Sequence, residues 1–267
     1  MLEWDISTIF IFMLLGVNYY LFIAGISQAY LVFKRKTSLI FILVISGLIV
    51  SITEATVSYI WLYVENDYEV LLGSITCVAW HFMLQIPCWL YCLRIQSLMG
   101  YDYNVIRYVR LAPFILALSQ IPSAISFIIA MVNYDLWGYF VICSAFTTCV
   151  ACIVEILLNV VLLRRVSTMF QYRKQVKKQM AMALTGSMVL LILIDICLLA
   201  VKLSLSKIQA LSLPSPVAQL DNALRPFSYM LRIKIAIRFF DDLIDKVNNR
   251  PKTTDSYARW FNSAASE

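Results

Sequence analysis

The sequence predicts an all-α membrane protein: a seven-transmembrane helix bundle with its N-terminus outside, its C-terminus cytoplasmic and a C-terminal amphipathic surface helix. Three observations predict it. The 267 residues are 61% apolar and only 14% charged, with a mean hydropathy of +0.78, whereas soluble domains are about a quarter charged. The chain holds a series of long runs almost free of charge. Its basic residues fall nearly all on one side of those runs. Seven Gly and seven Pro exclude collagen-like and low-complexity chains, and seven Cys show no disulfide-framework or metal-ligand spacing.

A helix crossing about 30 Å of hydrocarbon needs about 20 mostly apolar residues, because each backbone amide must find its partner within the segment. Six runs qualify: Ile6–Phe33, Thr37–Val64, Val70–Leu93, Leu111–Val132, Tyr139–Leu163 and Gln179–Val201. A seventh, about Ile208–Leu231, contains Asp221 and Arg225 and begins among Pro214 and Pro216, so hydropathy alone leaves it between a span and a re-entrant segment. The distribution of charge decides it. Seven spans put Lys34, Arg35, Lys36, Arg94, Arg107, Arg110 and the run Arg164–Lys178 inside, together with the basic tail from Arg232 to Arg259. Only Lys202 and Lys207 then remain outside, as the positive-inside bias requires.

The acidic start, Glu3 and Asp5 without a basic n-region, predicts an uncleaved first helix. Short outer segments, about Glu65–Glu69, Asn133–Gly138 and Lys202–Lys207, leave no ectodomain, so recognition is expected between helices. Ile233, Ile237, Phe240, Ile244 and Val247 at helical spacing, separated by charge, predict an amphipathic helix over 232–250 on the inner leaflet. After Pro251 the polar composition predicts a disordered tail over 251–267. Cys77 and Cys143 fall near the outer ends of their helices, but both sit in apolar runs where free thiols are usual. Trp61, Tyr63, Trp80, Trp137 and Tyr139 suit an outer aromatic belt.

Enzymatic chemistry is not expected. Metal-activated water needs about three converging ligands and a Ser nucleophile needs a His base, yet His81 is the one histidine of the chain. No Gly-rich phosphate loop occurs and the last span has no lysine for a retinal, so no cofactor is predicted. The basic run Arg164–Lys178 is bounded by membrane helices, so it reads as a topology signal touching anionic lipid rather than nucleic acid.

Ionisable groups within spans cost roughly 2.5 to 3.5 kcal/mol each and usually face a partner, a cavity or a ligand. Helix 2 carries Glu54, helix 3 His81, helix 5 Glu155, helix 6 Asp195, and helix 7 Asp221 with Arg225. Counting 1.5 Å per residue from each end puts Asn18, Glu54, His81, Asp195 and Asp221 at similar depth in the outer half, where they can form one polar cluster. Arg225 is placed to pair with Asp221 one turn away or with Glu155 across the bundle. Three readings fit: interhelical glue, a ligand pocket, or a proton or cation path. For His81 alone an interhelical hydrogen bond is the simplest account.

Seven spans, a basic third inner loop, an amphipathic helix after the last span, and Pro226-Phe227-Ser228-Tyr229 near the inner end of helix 7 together resemble the rhodopsin-like G-protein-coupled receptors. Asn18, Glu54 and Arg94 are similar to that family's helix 1 Asn, helix 2 acid and helix 3 Arg. The chain departs from the pattern at Arg225, where the family keeps Asn, at Cys92-Leu93-Arg94, and in helix 6, which lacks Cys-Trp-x-Pro. The resemblance implies a plasma-membrane receptor whose inner face, with Arg94, Arg164, Arg165 and Tyr229, couples to a heterotrimeric G protein or another cytoplasmic effector. A small or amphiphilic ligand is expected among Glu54, His81, Asp195 and Asp221, with a slight preference for a basic one because Glu65, Asp67, Glu69 and Asp135 rim the outer side. The rival expectations are a small-solute, proton or cation transporter and a ligand-free membrane scaffold.

Overall fold

The computed structural model describes residues 6–33, 36–63, 68–99, 103–169, 174–208 and 216–248. These form seven α-helices, and no strand occurs among the described residues: α1 (Ile6–Val32), α2 (Leu39–Tyr63), α3 (Glu69–Met99), α4 (Tyr103–Val132), α5 (Trp137–Met169), α6 (Lys174–Ile208) and α7 (Pro216–Asn248). Each of the first six, α1 to α6, contains a stretch long and apolar enough to cross a membrane, from Phe12–Val32 in α1 to Ala181–Ala200 in α6. The chain is by this measure a multi-pass membrane protein.

The helices outlast the apolar runs that predict them. α3 continues past Leu93 to Met99, α4 starts at Tyr103 rather than Leu111, α5 continues past Leu163 to Met169, and α6 starts at Lys174 rather than Gln179. These four lie at the end that carries Arg94, Arg107, Arg110, Arg164 and Arg165, and α6 also continues past Val201 to Ile208 at its other end. Charged residues end an apolar run without ending a helix, since Arg and Lys are good helix formers.

Contact pairs fix the relative directions of the helices. α1 and α2 are antiparallel, with Phe12 against Tyr59 at one end and Phe33 against Phe41 at the other. α3 and α4 are antiparallel, joined by His81 to Ser123 and by Cys92 to the Val109 carbonyl. α4 and α5 follow suit through Phe127 with Phe140 and Ser119 with Thr147. α7 instead runs parallel to α3: Arg225 lies over Trp80, Ile233 reaches Ile86 at Gly47, and Ala236 meets Arg94.

Here the structure departs from the sequence expectation. The helix expected to start afresh at Arg232 on the membrane surface is the unbroken continuation of α7, which reaches Asn248. Arg232, Ile233, Ala236, Ile237 and Phe239 are buried. Ile233 and Ile237 pack with Ala29, Phe33, Val44, Leu48 and Leu90 of α1, α2 and α3. The reason is local: no Gly or Pro occurs between Pro226 and Asn248 to stop the helix, and Ile233 and Ile237 of the face read as lipid-facing pack into the bundle instead. The tail expected to be disordered over 251–267 lies outside the described residues.

Small residues let these helices approach. A Cβ added at Gly47 would sit 2.7 Å from Ile233 Cδ1 and 2.9 Å from Ile86 Cγ2, so α2 meets α3 and α7 at a point where only hydrogen fits. Without a hydrophobic drive between helices in lipid, close packing of this kind supplies much of the association.

Candidate functional site: a buried ionic triad between three helices

Among the described residues His81 and Asp195, two of the five expected to share an outer cluster, have separate partners. On α3 the His81 Nδ1–H donates to the Cys77 carbonyl at 2.6 Å, and Nε2 lies 3.1 Å from the Ser123 hydroxyl of α4, which donates its own proton to the Gln120 carbonyl at 2.8 Å. Gln120 Nε2 donates back to the His81 carbonyl at 3.2 Å, and Gln85 Nε2 donates to Gln120 Oε1 at 3.3 Å. This ladder joins α3 to α4, and both ring nitrogens of His81 are engaged by it. Cys77 and Cys143 are both free thiols. Glu54 is fully buried on α2, as is Asn18 on α1. Asp221 lies on α7 with its side chain outside the described residues.

The second group lies near the middle of the spans. Arg232 of α7 donates to Asp195 Oδ1 of α6 and lies 3.4 Å, through Nε, from Glu155 Oε2 of α5. The apolar spans Trp137–Thr168 and Ala181–Ala200 place Glu155 and Asp195 about 4 and 7 Å from mid-span at 1.5 Å per residue. Cys152 Sγ donates to Asp195 Oδ2 at 2.9 Å, and the Tyr91 hydroxyl of α3 donates to Glu155 Oε1 at 3.4 Å. Tyr229 lies under the Arg232 guanidinium, 4.9 Å from ring centroid to Cζ. A lone charge here would be prohibitive, whereas carboxylates from two neighbouring helices flank this cation.

The sequence offers Arg225 two partners, Asp221 one turn away and Glu155 across the bundle; Arg232 takes the place beside Glu155, and the Asp221 side chain lies outside the described residues. Arg225, two turns earlier on α7, lies over the Trp80 ring at 5.5 Å instead of beside Glu155. A signal was available: two acids on neighbouring spans, Glu155 and Asp195, require a cation, and Arg225, Tyr229, Arg232, Ala236 and Phe239 alternate steps of four and three along one face of a helix. Assigning Arg232 to a surface helix hid it.

A small cavity adjoins the triad, lined by Tyr91, Glu155, Tyr229 and Arg232 with Pro87 and Leu116. Its volume of about 20 Å³ accommodates roughly one water. Pro87 also removes one backbone hydrogen bond from α3 beside this cavity.

Arg94, expected at the inner coupling face, is buried. Its guanidinium donates to the Ala236 carbonyl of α7 and stacks between Tyr91 and Phe239, at 5.4 and 5.0 Å. Tyr229 is buried too, while Arg164 is exposed and Arg165 half-buried at the end of α5. Among the described residues no group of three His, Cys, Asp or Glu side chains converges to hold a metal. Comparison with protein-family models, with curated proteins and with solved structures yields no match.

Proposed function

We propose that the chain is a seven-span, receptor-like protein of the plasma membrane, N-terminus outside and C-terminus cytoplasmic, which senses a small or amphiphilic ligand in the outer half and signals by displacing α7. The observation that carries this reading is that α7 is held at two depths by buried arginines: its own Arg232 to α5 and α6, and Arg94 of α3 to the Ala236 carbonyl. Such contacts are directional and are either made or broken, so they favour discrete helix arrangements over graded flexing. A ligand that draws Asp195 away from Arg232 frees one of the two holds. The parallel register of α7 with the apolar helix α3 supports a seventh crossing, and the basic ends of α3, α4 and α5 support the inner assignment of that side.

The extended inner ends of α5 and α6, with Arg164, Arg165 and Lys178, are the surface offered to a G protein or other effector. Exchanging Arg164–Lys178 for a neutral linker of equal length is expected to abolish the second-messenger response evoked by overexpressing the chain in cells, with surface expression intact. An unchanged response rejects the coupling role of this surface.

One observation favours the transporter reading: a water-sized cavity bordered by Glu155 and Arg232 at mid-span, with Pro87 in its wall. Proton or cation flux into vesicles reconstituted with the parent protein, lost in Asp195→Asn, would decide for transport. A scaffold would show neither flux nor a cellular response.

A further inference from the structure

The triad holds two carboxylates and one guanidinium. With all three ionised, the triad itself carries one net negative charge where hydration is scarce, since Arg94 lies over Tyr91 and Phe239 and Arg225 over Trp80, and such a charge is neutralised by taking up a cation. Among the described residues the room beside Glu155 is a cavity of about 20 Å³, too small for a hydrated metal ion. The adjacent guanidinium of Arg232 also repels a bare one.

The two acids are unequally held. Asp195 receives the Arg232 terminal nitrogen and the Cys152 thiol at 2.9 Å. Glu155 has only longer contacts, at 3.4 Å to Arg232 Nε and 3.4 Å to the Tyr91 hydroxyl, and it borders the cavity. Tyr229, 4% exposed, lines the same cavity and its hydroxyl makes no hydrogen bond among the described residues. A water in the cavity would accept from or donate to that hydroxyl and reach the Glu155 carboxyl.

We infer that the triad is a binding site for one proton, carried on the Glu155 carboxyl and relayed through a water held by Tyr229. The proton comes from solvent, an O–H bond forms on Glu155, and the site becomes neutral with Asp195 and Arg232 as the remaining ion pair. The groups facing Glu155 are Cys88 and Tyr91 from α3, Cys152 and Asn159 from α5, Asp195 from α6, and Tyr229 and Arg232 from α7, with apolar Leu116 from α4. Deprotonation restores the excess negative charge and strengthens the grip of α5 on α7. This deepens the proposed role of α7 as the signalling helix and rests on that reading for its regulatory meaning, but occupancy by the proton is independent of it.

Infrared spectroscopy of the purified full-length chain in lipid nanodiscs tests the inference, since the C=O stretch of a protonated carboxylic acid is separate from carboxylate bands. One such band is expected to be lost in Glu155→Gln. It is also expected to be lost in Asp195→Asn, because one carboxylate then faces one guanidinium and the proton is released. The parent protein with ¹³C-labelled Glu carboxyls reads the same band with the triad unaltered and guards against a misfolded variant, and a labelled Glu54→Gln variant, which should keep the band, separates it from any band of Glu54. A band that survives both substitutions, or fails to shift on labelling, overturns the inference. Loss in Glu155→Gln alone overturns the shared charge count. Because the readout is a bond vibration, its outcome is distinct from any cellular response.

Discussion

Replacing Arg232 by glutamine is expected to cost about 3 to 5 kcal/mol of bundle stability, the range for removing one partner of a buried ion pair. The substitution leaves Glu155 and Asp195 in mid-span without a countercharge, and α7 loses its tie to both α5 and α6. Uptake of protons by the acids limits the loss, because two neutral carboxyls can share hydrogen bonds with Tyr91 and Cys152. The triple variant Glu155→Gln, Asp195→Asn, Arg232→Gln removes all three charges together, and such neutral replacements are often tolerated. It should recover most of the stability lost by the single change. Chemical unfolding in mixed micelles reads both. A single variant within about 1 kcal/mol of the parent would mean that the ion pair does not hold α7.

Trp80→Ala is expected to be the costliest change to an uncharged side chain. Trp80 is 2% exposed and stands at the meeting of three helices: its ring lies 4.7 Å from His81 of its own α3, 6.5 Å from Phe140 of α5, and under the Arg225 guanidinium of α7. In soluble cores Trp→Ala costs about 3 to 5 kcal/mol, the sum of a transfer term and a cavity term. Between membrane helices the transfer term shrinks, because lipid tails are as apolar as the bundle. The cavity and the lost cation–π contact remain, so a loss of about 2 to 4 kcal/mol is expected. Trp80→Phe keeps an aromatic face for Arg225 and should restore about half. The same unfolding assay measures both, and an Ala variant as stable as the parent would contradict the packing described around α3.

Most of the architecture is legible in the sequence because lipid imposes one strong rule, that a spanning helix must be apolar for about 20 residues. Six helices follow from it directly. Their ends do not, since Arg94, Arg107, Arg110 and Arg164 interrupt hydropathy without interrupting hydrogen bonding along the helix. α7 was hardest to read. Its buried face mixes Arg225, Tyr229 and Arg232 with Ile233 and Ile237, a composition shared by a surface amphipathic helix and by a bundle helix that carries an internal ion pair. Only the positions of Glu155 and Asp195 on other helices distinguish the two, and such long-range pairing is invisible to local periodicity. His81 fared better: a lone histidine on an apolar helix predicts an interhelical hydrogen bond, and its Nε2 lies beside the Ser123 hydroxyl of α4.

The central claim is that α7 traverses the bilayer alongside α3, its two arginine contacts lying within the membrane. Epitope tags at both ends of the full chain, probed with antibodies on intact and then permeabilised cells, test it most directly. The N-terminal tag should be stained on intact cells and the C-terminal tag only after permeabilisation. Staining of both tags on intact cells, or of neither, would place both ends on one side of the membrane and contradict the seventh crossing.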